Sequence, residues 1–284
     1  MPVDEKPVDE KPVEGKPVEE KGASEGIGAR GQELARGVAA ARDQGDVARA
    51  VEISEERLSQ ARAAVTLGAG VPAYLELGDA LYLRAALAME DEQEPGRAWE
   101  LLMDRLEVLA RVVTLAPVDA HFRLHVEALG TLTQFVDPET HGEVYVGFLR
   151  ERAVAARRWL YESKDPAEAA AVLADCAEAV GQLAMNAGDG ATSLAAWHDA
   201  IRGLEIVAQT TEANAHAILR MAAAHYNAAA VSEGQDRAEH LETAFTITSH
   251  LEQGGLHHEA VTKIRQGAAT ALAADRLSAQ FGEE

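Results

Sequence analysis

His121 and His125 stand four residues apart in the run His-Phe-Arg-Leu-His, so on a helix their rings share one face. Two imidazoles so placed can hold zinc or iron. A working site needs more ligands, and no HExxH motif accompanies them. No Glu or Asp lies at a spacing that completes a di-iron set either. The pair reads as surface or groove histidines, and no metal is expected. His257-His258 is weaker evidence still. The ten histidines make stability or binding open to modulation at a pH of about 6, but their spacing singles none out.

Nucleophilic catalysis needs an activated Ser, Cys or Thr beside a base. Cys176 has no histidine within helical reach in the sequence and lies in an apolar run, Ala171 to Val180, where a small core residue is expected. There is no GxSxG. Gly26-Ile27-Gly28-Ala29-Arg30-Gly31 resembles a phosphate loop only in its glycines, since no strand precedes it and no Lys-Ser/Thr follows. It reads as a junction ahead of the first helix. The carboxylate pairs Glu55-Glu56 and Asp91-Glu92 are expected at polar turns and read as solvated. No catalytic residue, no cofactor and no enzymatic activity are expected.

Charge narrows the partners. With 47 acidic against 26 basic residues the formal net charge is -21, which repels phosphate backbones and anionic lipid surfaces. Nucleic acid and membrane are not expected as partners. The cluster Arg150, Arg152, Arg157 and Arg158 reads as the solvated face of one helix. A single cysteine permits no internal disulfide and suits a reducing compartment. No secretory signal and no long apolar span are visible, so the cytoplasm is the default location.

Residues 1–23 are expected to form a disordered tail. Four pentapeptides, PVDEK, PVDEK, PVEGK and PVEEK, fill residues 2–21. Proline at every fifth position forbids a continuous helix, and little apolar surface is available to bury.

From Ser24 the pattern becomes helical. Apolar residues recur at three- and four-residue intervals, as in Leu101, Leu102, Leu106, Leu109, Ala110 and Val113. Gly and Pro breakers divide 24–284 into about eleven helices and no strand. The spacing pairs 26–43 with 46–67, 72–92 with 95–115, 119–136 with 139–163, 166–187 with 190–210, and 212–233 with 236–253. A last helix over 256–281 caps the array. Asp137-Pro138 and Asp165-Pro166 read as N-cap carboxylates followed by a first-turn proline. Antiparallel pairs recurring every 40–52 residues or so predict an all-α solenoid of about five pairs plus a capping helix.

The fourth pair carries Val180-Gly181, Ala184, Gly188-Asp189, Trp197 and Ala200. It resembles a tetratricopeptide (TPR) repeat, with a helix-A glycine, a Gly-Asp turn, and an aromatic and an alanine in helix B. Leu77-Gly78, Leu129-Gly130 and Gly45-Asp46 match fragments of the same pattern. The units are longer than standard TPR units, and a HEAT-like or 14-3-3-like stack stays open. The resemblance implies a non-catalytic scaffold or adaptor that holds a protein or peptide in a concave groove. Registered on the Leu-Gly sites, the groove positions become Asp79, Tyr82, Glu127, Gln134, Glu178, Gln182 and Asn186. That set is acidic and amide-rich, which favours a basic or polar extended segment. The alternative is a ligand- or peptide-sensing regulatory solenoid that changes its oligomeric state. Homo-oligomerisation is left open.

Overall fold

The computed structural model describes residues 20–210 and 215–281. The expected tail over 1–23 therefore falls, as far as residue 19, outside the described residues. Among the described residues the chain forms eleven α-helices and no strand. They are α1 (Glu20–Asp43), α2 (Val47–Thr66), α3 (Gly70–Glu90), α4 (Pro95–Leu115), α5 (Asp119–Phe135), α6 (Gly142–Glu162), α7 (Ala167–Asn186), α8 (Gly190–Thr210), α9 (Ala215–Ala230), α10 (Gly234–Gln253) and α11 (Glu259–Phe281). No helix among the described residues is long and apolar enough to cross a membrane.

The chain divides into two compact units, one ending at Leu101 and the other running from Leu102. In the first, α1 packs on α2, α2 on α3, and α1 also reaches α3. In the second, α5 to α11 pack each on the next, and α9 reaches α11. Short turns force consecutive helices to run antiparallel, and each helix buries one face against its neighbours.

A second regularity ties alternate helices together. Arg42 of α1 pairs with Glu90 of α3 at 2.7 Å, and Glu55 of α2 pairs with Arg97 of α4 at 2.5 Å. In the second unit Arg123 of α5 meets Glu168 of α7, Arg157 of α6 meets Asp199 of α8, and Glu178 of α7 meets Arg220 of α9. The partners lie 42–48 residues apart in the chain. That separation is the repeat length read from the sequence. Equivalent faces of successive pairs stand side by side, which is the packing of a helical repeat. Each exposed pair adds at most about 1 kcal/mol, so this ladder records the register more than it stabilises it.

The fourth pair shows why its motif residues stand where they do. A Cβ on Gly181 would lie 2.8 Å from Cε2 of Trp197, so only glycine lets the indole rest on α7. Ala200 is fully buried beneath the crossing. Gly188 stops α7 with φ +76°, and Asp189 starts α8 by accepting the Thr192 N–H at 3.1 Å. Asp46 caps α2 in the same way, accepting from Arg49 N at 3.0 Å.

Four local expectations are corrected. Glu55-Glu56 lies inside α2 rather than at a turn, and Glu55 and Glu92 hold the buried Arg84 instead of being merely solvated. Asp165 does not cap α7: Pro166 occupies the N-cap position in helical geometry with no side-chain cap bond. Asp137 caps a turn rather than α6, accepting from Glu139 N at 2.9 Å and Thr140 Oγ1 at 2.9 Å, while α6 begins at Gly142. Both prolines are used to turn the chain ahead of the helix. The Gly26–Gly31 run is part of α1, not a junction before it. Gly31 is buried there because a Cβ would meet the Glu76 carboxylate at 2.2 Å.

Candidate functional site

The expected groove residues sit at three places. Asp79 and Tyr82 are exposed on α3, in the first unit. Glu127 and Gln134 are exposed on α5, in the second. Glu178, Gln182 and Asn186 follow one another at four-residue steps along α7, a single helix face. Of the seven, Glu178 and Gln182 line a common cavity. It has a volume of about 470 Å³ and lies between α7, α8 and α9.

Helix α9 supplies the residue that organises this cavity. Arg220 donates from Nε to both Glu178 oxygens, at 3.1 and 3.2 Å, and from Nη2 to Glu178 Oε2 at 2.7 Å and Asp175 Oδ1 at 2.5 Å. The hydrogen bonds that Arg220 donates to Glu178, aided by the one to Asp175, raise its pKa against the opposing effect of burial. The guanidinium thus neutralises one of the two carboxylates. Asp175 remains largely exposed, so the expected acidic face keeps about one available negative charge. Gln182 Nε2 donates to Asn186 Oδ1 at 2.9 Å, and Asn227 adds a second amide to the cavity wall. Trp197 forms the floor, and its buried indole N–H has no hydrogen-bond partner among the described residues. Sequence reasoning missed Arg220. Its signal was the 42-residue step from Glu178, the same step that links other ion pairs.

A second cavity, about 420 Å³, lies between the later turns of α4, α5 and α6. It holds His125, whose pKa is lowered first by burial and then by the Arg158 charge. His121 is separate, with Nδ1 2.7 Å from the Ala116 carbonyl at the end of α4. The arginine cluster on α6 is not one solvated face. Arg152 is half-buried, with its guanidinium 3.0 Å from where a Cβ on Gly130 would be, and Arg157 is paired with Asp199. Arg150 and Arg158 alone of the four are exposed.

In the first unit a smaller cavity, about 250 Å³, lies against α1, α2 and α3. Its wall carries the buried pair Arg57–Glu76, joined by Nε–Oε1 at 2.7 Å and Nη2–Oε2 at 3.1 Å.

Burial raises the Cys176 thiol to about 11, opposed in part by Arg152, so it is not a thiolate nucleophile. Among the described residues no group of three His, Cys, Asp or Glu is placed to hold a metal ion. Three histidines do meet. His198 Nε2 lies 3.2 Å from His240 Nε2, and His240 Nδ1 lies 3.0 Å from His225 Nδ1. The links use opposite nitrogens of His240, so the three form a chain of rings across α8, α10 and α9.

No family model matches the chain, and no curated protein matches it. Three solved structures are similar in outline. The hypoxic regulator of sterol synthesis Nro1, described as a nuclear import adaptor, aligns at TM-score 0.46 and 10% identity, over 87% of this chain and 93% of that one. The RpL4 assembly chaperone Acl4 aligns at TM-score 0.29 and 11% identity, over 88% and 99%. A computationally designed self-assembling cyclic homo-oligomer aligns at TM-score 0.28 and 12% identity, over 90% and 98%.

Proposed function

We propose that this chain is a non-catalytic, TPR-like scaffold or adaptor with lengthened repeats, and that it holds an extended segment of a partner protein across the α7–α9 face. The observation that carries this reading is the cavity of about 470 Å³ in which Glu178 and Gln182 converge with Asp175, Asn227 and Arg220. Amides offer both a donor and an acceptor, so Gln182 and Asn227 suit the main chain of an extended peptide. Asp175 supplies a carboxylate for a Lys or Arg side chain. The Trp197 N–H is a donor with no acceptor among the described residues. Asp79 and Tyr82 on α3, and Glu127 and Gln134 on α5, belong to the proposed binding set as the equivalent positions of their own repeats. A cytoplasmic location is part of the same proposal.

A random-peptide display library panned on the purified chain tests it. The enriched peptides should carry Lys or Arg and should bind roughly tenfold more weakly to an Asp175→Lys/Glu178→Lys variant, as expected when complementary charge is replaced by like charge. Gln182→Ala should weaken them with no change of charge. A library that enriches nothing, or peptides indifferent to all three substitutions, removes the reading.

A further inference from the structure

The cavity between α4, α5 and α6 carries charge opposite in sign to that of the whole chain. Its floor is Val113, Phe122 and Leu129, all buried, and its wall includes Val154, which is 62% exposed. Arg158 lies over the Phe122 ring at 5.6 Å from the centroid, and Arg150 stands two turns earlier on α6. Glu151 is the acid on this rim, and its one negative charge leaves an excess of one positive charge in a chain whose formal net charge is -21. Burial and the neighbouring Arg158 hold His125 neutral near pH 7.

Among the described residues Arg150 and Arg158 lack the inter-helix ion pair that several arginines of the second unit make, as do Arg111, Arg152 and Arg202. Arg123, Arg157, Arg220 and Arg237 each pair with a carboxylate on another helix. Arg150 and Arg158 make no ion pair among the described residues. One repeat of 42 residues beyond them the chain has Thr192 and Ala200 rather than carboxylates. The acid closest to Thr192 in the sequence is Asp189, whose pKa is lowered first by hydrogen bonds from Thr192 and further by the Arg150 charge. The two cations are left facing an apolar cleft with an exposed valine beside it. The matching ligand is an extended segment that alternates small branched apolar residues with carboxylates.

The sequence contains such a segment outside the described residues. Residues 2–19 hold six carboxylates against three lysines, and each of Val3, Val8, Val13 and Val18 is followed directly by Asp or Glu. Each valine is also preceded by proline, which fixes φ and removes an N–H, so the segment suits an extended binding mode. Its four near-identical registers raise the effective concentration of the motif. We propose that the Arg-rimmed groove of α4–α6 docks the chain's own amino-terminal Pro-Val-carboxylate segment. A valine rests on the Phe122–Leu129 floor, and the following carboxylate meets Arg150 or Arg158. Any acidic, apolar segment from another protein must displace it. This docking does not depend on the α7–α9 groove.

The test uses a fluorescent peptide of residues 2–19, titrated onto the full chain carrying Val3→Ser, Val8→Ser, Val13→Ser and Val18→Ser. Saturable binding is expected, weaker at high salt and reduced roughly tenfold by Arg150→Glu with Arg158→Glu, as two reversed charge contacts imply. Val154→Asp should weaken it as well, and a peptide bearing the same four serines should not bind. Arg150→Glu alone, at an exposed position away from Phe122, reads the charge contact if the double variant melts early. Absence of saturable binding overturns the proposal. So does binding unchanged by Arg150→Glu and Val154→Asp, or binding abolished by Asp175→Lys in the other groove.

Discussion

The two units fix the register of their helices by different physical means. The first buries charge. Arg57 and Glu76 are closed in together, and Arg84 is fully buried between Glu55 and Glu92, at 2.7 and 2.5 Å. The second, Arg105 apart, buries hydroxyls that bond to nearby carbonyls: Ser193 to Gly181 at 2.9 Å, Ser232 to Ala228 and Thr248 to Ala244 at 2.7 Å. Its helices approach through Gly and Ala instead, as in the cluster of Ala174, Ala177, Ala200, Ala224 and Ala228 around Trp197. A buried ion pair recovers little net free energy after desolvation, yet it tolerates no substitute partner. Small residues set an approach distance through close packing and tolerate no added atom.

The contrast breaks most sharply at Glu76. Glu76→Ala leaves the Arg57 guanidinium buried with no counter-charge, which costs about 3–5 kcal/mol. Urea unfolding should record that loss, and hydrogen exchange should place it in α2 and α3. Arg57→Met/Glu76→Met removes both charges and should restore most of the stability. A loss below about 1 kcal/mol for Glu76→Ala would mean that water already reaches the pair.

The matching break in the second unit is Gly203→Ala. The new Cβ would lie 2.6 Å from the Ala170 carbonyl oxygen and 3.1 Å from the Ala174 Cβ, so α7 and α8 must separate. Overpacking of this kind costs about 1–3 kcal/mol. Thermal melts should show it, with Gly147→Ala, in open space on α6, as the control that gains helix propensity without a clash. Equal melting of the two variants would place the α7–α8 spacing under some other control.

Helix positions were legible in the sequence because periodic apolar residues and Gly or Pro breakers act locally. The breakers place α3 to α8 within a few residues of their observed bounds. Trp197, Gly181 and Ala200 were legible for the same reason, since each serves a contact within one helix pair. What the sequence hid is set between pairs. Gly31 reads as a loop glycine until Glu76 is seen to fill its space. The arginines of α6 read as one solvated face because their partners lie on α5 and α8. The repeat register proposes Glu178 and Gln182 as groove positions but gives no sign of Arg220, since nothing near it in the sequence marks it. The 42-residue step was the available signal, and it emerges once the ion pairs are known.

The histidines provide the subtlest separation of the units, because all ten lie beyond Leu101. In the chain His198–His240–His225 each link needs one N–H and one bare nitrogen. Three neutral rings satisfy both links. A first added proton does so too, if His240 donates from both nitrogens. A second must set N–H against N–H and break a link. Burial, then the charges of His240 and His198, lower the His225 pKa to about 4. Burial and His198 lower that of His240, against Asp236 and Glu239. The unfolded chain, with ordinary histidines near 6.5, binds protons that the folded one refuses, so stability falls as the pH drops from about 6.5 towards 4. Solvent screening of these partly exposed rings holds the effect to about 1–2 kcal/mol. Hydrogen exchange compared at pH 7 and about pH 5 should therefore show loosening of α8 to α10, with α2 and α3 unchanged. His225→Leu should flatten the difference, since it removes the ring that most resists protonation. Equal loosening of α2 and α3, or an acid response retained in His225→Leu, would assign the sensitivity to carboxylates and leave the histidine chain without a role in it.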